Sequence, residues 1–274
     1  MTNVDDSRLP ARLLAVLAHT VAPAYARAAL ARRHAARRHA RALRQPVISV
    51  GNLSLGGSGK TPLVAFVAAL LRDLGERPAI LSRGYARAVH EDGVVVVSDG
   101  RSLRADVDRA GDEPMWLART LPGVAVLVAA DRHLAGALAE ARLGATVHVL
   151  DDGFQHHALA RDADVVIVSA ADLADWPVPA GRLREPLDVL ACADALVVPE
   201  GDEIPRVALE LTTGDAPVFR MRRTLGVPRS VEPWGAPPRV PRDAAVLAMA
   251  GIAHPARFFD ALAAAGWRVV ARMP

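Results

Sequence analysis

A chain of 274 residues, 51% hydrophobic and 23% charged, can bury a full core in one large or two modest domains, and this composition excludes disorder. Its single cysteine, Cys192, excludes an internal disulfide framework and fits a reducing compartment; within "VLACADALVV" it reads as a small buried hydrophobe rather than a nucleophile. The formal net charge of +3 hides an asymmetry, because residues 8–44 carry nine arginines and no acid, so a basic arm precedes an acidic body and points to an anionic partner.

The arm, residues 1–45, contains the uncharged run Leu13–Ala26, interrupted by His19, Thr20 and Pro23. That run falls short of the roughly 20 apolar residues a bilayer span needs. It leads into arginines and then a strand, which is not the layout of a signal peptide. Leu13, Leu14, Leu17 and Val21 share a helical face, so such a helix can lie in a membrane interface with its arginines meeting lipid phosphates. A helix packed on the body with a solvated basic face explains the same residues, and nucleic-acid binding is a third reading.

Beyond the arm, strand and helix alternate. "PVISV" (46–50) predicts a short buried strand, followed by a glycine loop and a helix through "TPLVAFVAALLRDLG" that stops at Gly75. "PAILSRG", "GVVVVSD", "GVAVLVAA", "ATVHVLDD" and "ADVVIVSA" are further strand candidates, with helical stretches such as "DEPMWLARTL" and "DRHLAGALAEARLG" between them. Apolar runs rather than strict alternation imply strands covered on both faces, hence a mostly parallel α/β sheet. The proline-rich stretch 227–243 reads as a linker between a core lobe, 46–226, and a shorter strand–helix–strand segment, 244–274.

Residues 54–61, "SLGGSGKT", match the phosphate-loop pattern G-x-x-x-x-G-K-[ST] except at Ser54. Gly56, Gly57 and Gly59 let the backbone curl so that successive amides point inward, and the following helix adds its positive end. Lys60, the chain's only lysine, then reaches the β- and γ-phosphates of a nucleotide, and Thr61 offers a hydroxyl to Mg²⁺. A compact ammonium on a thin stem fits that curl where a planar guanidinium does not. Asp151 and Asp152, at the end of the strand "ATVHVLDD", are placed to hold Mg²⁺, although two acids before Gly153 also suit a plain turn. His156 and His157 lack the cysteines or spaced histidines of a zinc site. In "AGDEPMWLA", Asp112 reads either as a helix cap before Pro114 or as a base for an acceptor hydroxyl, with Glu113 beside it.

Taken together, "PVISVGNLSLGGSGKTP", "LSRGY", "GDEP", "AADR", "LDDGFQH", "PAGRLREP" and "AGIAHPARFF" resemble the tetraacyldisaccharide 4′-kinases, the lipid A 4′-kinase family of Gram-negative bacteria, in order across residues 46–259. Ser54 is usual in that family. The resemblance implies two nucleoside-triphosphatase-like α/β lobes, the second smaller, behind an N-terminal amphipathic helix. It implies a monomer on the cytoplasmic face of the inner membrane, held to the anionic surface by its arm, with no nucleic-acid partner. The implied reaction moves the γ-phosphate of ATP, with Mg²⁺, to the 4′-hydroxyl of a tetraacylated glucosamine disaccharide 1-phosphate, giving lipid IVA. By position, Ser54, Leu55, Gly56, Gly57, Ser58, Gly59, Lys60 and Thr61 bind ATP, and Asp112 resembles the family's base. Lys60, Asp112 and Asp152 then carry catalysis, and Thr61, Glu113, Asp151 and Asp152 hold the metal. Arg132 in "AADR" neutralises phosphate, and Glu185 in "LREP" is a nucleotide-side contact. The family also has an Asp-His-His or Asp-His-Tyr stretch soon after the strand read here as "WRVVARMP", and His254 is not its equivalent. Because the residues end at Pro274, where that stretch is expected, the expectation is a chain lacking its C-terminal end that binds Mg-ATP and turns over poorly. A membrane-docked phosphate-loop switch or metallochaperone without a lipid acceptor explains the loop, the acids and the arm equally. A non-enzymatic module holding nucleic acid rests on the arm alone.

Overall fold

A computed structural model describes residues 9–203 apart from 86 and 90, together with 216–226, 228, 241, 244–252 and 255–274. Two compact units emerge, Met1–Arg220 and Met221–Pro274. Most of the linker expected at 227–243, and His254, lie outside the described residues.

The arm forms one helix, α1 (Leu9–Arg38), rich in alanine, leucine and arginine, which are strong helix formers. It continues through Pro23 and ends on Arg37 and Arg38, whose charges suit the negative end of the helix dipole. Counting only the uncharged run underestimates it: the stretch Leu14–Arg38 is long and apolar enough to cross a membrane by length and composition. Its two halves behave differently. Leu14, Leu17 and Val21 are exposed, whereas Ala22, Ala29 and Arg33 are buried.

The rest of the first unit alternates in the expected way: β1 (Val47–Asn52), α2 (Lys60–Asp73), β2 (Pro78–Ser82), β3 (Val94–Asp99), α3 (Val107–Ala110), α4 (Asp112–Thr120), β4 (Ala125–Ala129) and α5 (Arg132–Leu138). After a π-helical turn at Ala139–Leu143 come β5 (Val147–Asp151), β6 (Ala163–Ile167), α6 (Ala170–Leu173), a 3₁₀ turn at Leu187–Cys192, β7 (Ala195–Pro199) and β8 (Val218–Met221). The eight strands make one sheet in the order β3-β4-β2-β5-β1-β6-β7-β8.

Every residue of β2, β4 and β5 is buried, which follows from apolar side chains on both faces of a central parallel strand. β3 is the exception the apolar runs did not reveal. It pairs antiparallel with β4 at the sheet edge, with a register shift between Val96 and Ser98. Leu81, Leu127, Leu150 and Leu159 anchor one cluster of buried side chains, and Leu53, Phe154, Val166, Leu190 and Leu196 another.

β1, β2, β4, β5, β6 and β7 are linked by parallel pairings, so their carboxyl ends share one edge of the sheet. The chain leaves β1 for β2 on one side, returns in β5 between them, and crosses to β6 on the other side of β1. In an open α/β sheet that reversal is where loops part and ligands bind.

The second unit contains β9 (Ala245–Met249), α7 (Pro255–Ala264) and β10 (Arg268–Met273), with β9 and β10 parallel. Phe259, Ala248 and Ala250 form its small buried cluster.

Candidate active site

The strand–loop–helix unit falls at the centre of the sheet. After Asn52 the chain turns through Gly56 and Gly59, whose φ values of 110° and 91° lie in the left-handed region that favours glycine. Gly59 is the N-cap of α2, and Lys60 is its first residue. Ser54 needs no such freedom. Asp152 is the only non-glycine residue with positive φ among the described residues, and Ser54 instead makes an antiparallel bridge to Leu183. Leu55 N–H donates to the Arg182 carbonyl at 2.8 Å, and Arg184 N–H to the Leu53 carbonyl at 2.8 Å. The start of the loop is thus fastened to the "GRLREP" stretch, which explains why serine serves where the general pattern has glycine.

Lys60 Nζ donates to Asn52 Oδ1 at 2.9 Å and stands 3.6 Å from Asp152 Oδ1. Asn52, fully buried, also donates to the Ser54 carbonyl at 2.8 Å, which sets its amide and turns its oxygen to the lysine. Asp152 holds φ 51°, a conformation costly for a residue with a Cβ and one that persists only when neighbours fix it. Arg184 supplies the fixing, reaching Asp152 Oδ2 at 2.8 Å and Gln155 Oε1 at 3.2 Å, while Gln155 donates to the Asn52 carbonyl at 2.9 Å. Gly153 follows because a Cβ there would sit 2.6 Å from Leu150 Cβ and 2.7 Å from Ser49 Oγ.

Asp151 ends β5 and is buried. Burial, then the charges of Glu113 and Asp152, push its carboxyl up to about 6, against the pull of the Ser82 hydroxyl donating at 3.0 Å and of Lys60. Glu113 is therefore electrostatically coupled to the acidic pair. It and Asp112 are exposed at the first turn of α4. The capping reading of Asp112 is corrected: Gly111, at φ 86°, is the N-cap of α4, and the nearby aspartate whose side chain caps a helix is Asp106, just before α3.

Arg132 opens α5 behind its N-cap Asp131 and is buried. Burial and the charge of Arg83 lower its pKa, and Asp151 and Asp152 act in the opposite sense. Its Nη1 lies 3.4 Å from His156 Nδ1. Burial, then the charges of Arg132, Arg161 and His157, drive His156 down to about 4, so at neutral pH the ring is uncharged and can accept from the guanidinium.

Lys60, Asp151, Asp152, Glu113 and Arg132 thus converge at one sheet edge, with Asp112 beside Glu113 and Thr61 beside Lys60. Glu185 does not join them. It is buried with its Oε2 accepting from Arg33 at 2.9 Å and its Oε1 lying 3.4 Å from His157 Nε2. The neighbouring Arg184 makes the contact with the loop. Asn52, Gln155 and Arg184 were not singled out in the sequence, although all three stand inside the quoted motifs.

Two orphan oxygens bear on what the site can hold. Ser58 Oγ and Asp152 Oδ1 are buried without a hydrogen-bond partner, although the second faces the Lys60 charge. A hydroxyl in the loop suits a phosphate oxygen, and a carboxylate oxygen is the hard donor that Mg²⁺ takes. Among the described residues no group of three or more His, Cys, Asp or Glu could hold a metal ion unaided. Mg²⁺ bound to a nucleotide asks for less, since it completes its shell with phosphate and water.

Sheet, loop and acids together define a phosphate-loop protein of the nucleoside-triphosphatase-like α/β class. The family model for the tetraacyldisaccharide-1-P 4′-kinases matches residues 11–274, and the chain belongs to that family. It is 40% identical over 240 residues to the tetraacyldisaccharide 4′-kinase of Pelobacter propionicus, covering 85% of this chain and 64% of that protein. With that of Aquifex aeolicus it shares 47% identity over 178 residues, covering 65% and 54%. With that of Geobacter sulfurreducens it shares 38% over 270 residues, covering 97% and 73%. The first two comparisons therefore span less than two thirds of those relatives' length. Among solved structures, the "apo" form of LpxK from Aquifex aeolicus in complex with ATP superposes with a TM-score of 0.80 at 35% identity, covering 95% of this chain and 81% of that one.

Proposed function

We propose that the chain binds Mg-ATP and transfers its γ-phosphate to the 4′-hydroxyl of a tetraacylated glucosamine disaccharide 1-phosphate, forming lipid IVA for lipid A. The observation that carries the reading is the position of Lys60, at the mouth of a glycine loop between Asn52 and Asp152. Its ammonium exchanges Asn52 for the β- and γ-phosphates when nucleotide enters, and the amides of residues 54–61 surround those phosphates.

Thr61, Glu113, Asp151 and Asp152 would hold Mg²⁺, which supplies neutralisation of phosphate charge. Arg132, buried beside Asp151 and Asp152 and repelled by Arg83, neutralises the transferring or substrate phosphate. Asp112, exposed at the front of α4, takes the proton of the 4′-hydroxyl as its oxygen bonds to the γ-phosphorus. The bond from that phosphorus to the bridging oxygen breaks, and its electron pair leaves with ADP. Glu185 acts from behind, through the stretch it shares with Arg184.

The organisation that goes with this activity is an arm at 1–45, a core lobe at 46–226, a linker at 227–243 and a smaller lobe from 244 to 274, working as a monomer. The exposed Leu14, Leu17 and Val21 lie in the interface of the cytoplasmic leaflet of the inner membrane. The arm's arginines divide. Arg33, Arg37 and Arg41 face the body, on Glu185, Cys192 and Asp131, which leaves Arg27 and Arg38 among those exposed to lipid phosphates.

Transfer of label from ATP to the disaccharide acceptor in mixed micelles tests the reading. Asp112→Ala is expected to keep Mg-ATP affinity and to lower transfer by about 100-fold, the usual worth of a general base. Nucleotide hydrolysis without a labelled lipid would instead mark a membrane-docked switch.

A further inference from the structure

We propose that Arg33, on the N-terminal helix, is a positioning residue for Asp152, so that the seating of α1 sets the geometry of the metal-binding carboxylate. The proposal rests on the Mg-ATP reading above and gives Arg33 a role in the site that the reading does not assign.

Arg33 is only 2% exposed, an unusual state for a guanidinium on a surface helix. Its Nη1 donates to Glu185 Oε2 at 2.9 Å, and its Cζ lies 4.6 Å from the centre of the Phe154 ring. Glu185 Oε1 lies 3.4 Å from His157 Nε2. Phe154 and His157 lie within the run of turns that begins at Asp152. Arg33 therefore touches this turn twice, once through a ring face and once through a carboxylate.

The other side of Glu185 completes the connection. Arg184, its chain neighbour, donates to Asp152 Oδ2 at 2.8 Å and Gln155 Oε1 at 3.2 Å. A carboxylate held by Arg33 fixes the backbone at 185, hence the origin of the Arg184 side chain, hence the carboxylate that Arg184 restrains at φ 51°. Arg161 braces the same turn from the first residues after it, donating to the His156 carbonyl at 2.9 Å and to that of Gly153 at 3.3 Å. Arg161 and Arg184 come from the body, whereas Arg33 is the charged side chain that, among the described residues, reaches the turn from the helix whose opposite end exposes apolar side chains.

A residue that acts through Asp152 should affect only what Asp152 does. The measurement is the gain in ATP affinity on adding Mg²⁺, read by calorimetry with the full chain. In Arg33→Met that gain is expected to shrink by about tenfold, the scale of a lost partner behind a metal ligand, with affinity for metal-free ATP unchanged. In an Asp152→Asn background the same Arg33→Met change is expected to add nothing, because the pair then acts as one unit. Loss of the buried cation leaves Glu185 an uncompensated charge, which can prevent folding. Arg33→Met with Glu185→Gln removes both charges and keeps the cycle measurable. A purely structural arginine predicts equal losses with and without Mg²⁺, or losses that add in the Asp152→Asn background, and either result overturns the proposal. A wild-type chain that binds ATP with no gain from Mg²⁺ overturns the metal assignment and this proposal with it. A wild-type chain that binds no ATP overturns the function itself.

Discussion

Lys60→Ala is expected to lower kcat/KM for phosphoryl transfer by about 1,000-fold and to weaken ATP binding, since one charged donor aimed at a transferring phosphate is worth that much in a preorganised site. The side chain is 14% exposed and held by Asn52 at 2.9 Å, so its charge is in place before nucleotide arrives. Little reorganisation is needed at the moment of reaction. Lys60→Arg should restore little. Asn52 is fully buried and tied to Ser54, so a planar fork must displace either the amide or the loop it supports. Calorimetric titration of Mg-ATP and label transfer on the same preparations check the expectation. Wild-type affinity in Lys60→Ala would remove the loop from the account.

Asp151→Asn is expected to do two opposite things. It should stabilise the nucleotide-free protein at pH 8 by about 3 kcal/mol, the free-energy equivalent of a carboxyl raised from 3.8 to about 6. The sign follows from proton binding. The folded state holds the proton more tightly than the unfolded state, so this group's stabilising contribution is full below pH 4. It is lost as pH rises through about 6. Asparagine removes that loss and can still accept from the Ser82 hydroxyl, now placed 3.0 Å from the carboxylate. Urea unfolding of wild type and variant at pH 4, 6 and 8 should show curves that diverge with rising pH. The same substitution should abolish the Mg²⁺-dependent gain in ATP affinity, because a neutral amide does not neutralise a divalent ion. Stability given up for an ionised group beside Glu113 and Asp152 is what a metal site requires.

Much of this was readable in advance because it is local. A strand of buried β-branched residues, three glycines, a lysine and a helix follow one another within residues 47–73, and chain connectivity alone puts the loop at the helix start. Asp151 and Asp152 were legible for the same reason, being the two residues that follow an apolar run. Pairings across the chain were not. Glu185 was expected near nucleotide, and nothing within "LREP" shows that its partner is Arg33, 152 positions earlier. The arginines of the arm look equivalent in sequence. Only packing separates Arg33, Arg37 and Arg41, spent on the body, from those left outside. The antiparallel β3 escaped because its apolar run looks like those of its parallel neighbours, and only its place at the sheet edge distinguishes it. Asn52 escaped because an asparagine after a strand suggests a turn, whereas here it is an internal acceptor for a cation.

The scarcity of lysine has a practical outcome. Apart from the α-amine, Lys60 carries the sole aliphatic amine of these 274 residues, so an amine-selective acylating reagent becomes a label of the glycine loop without any engineering. Occupancy of the loop can then be followed as protection of a single peptide in a digest, in crude membranes as readily as in pure solution.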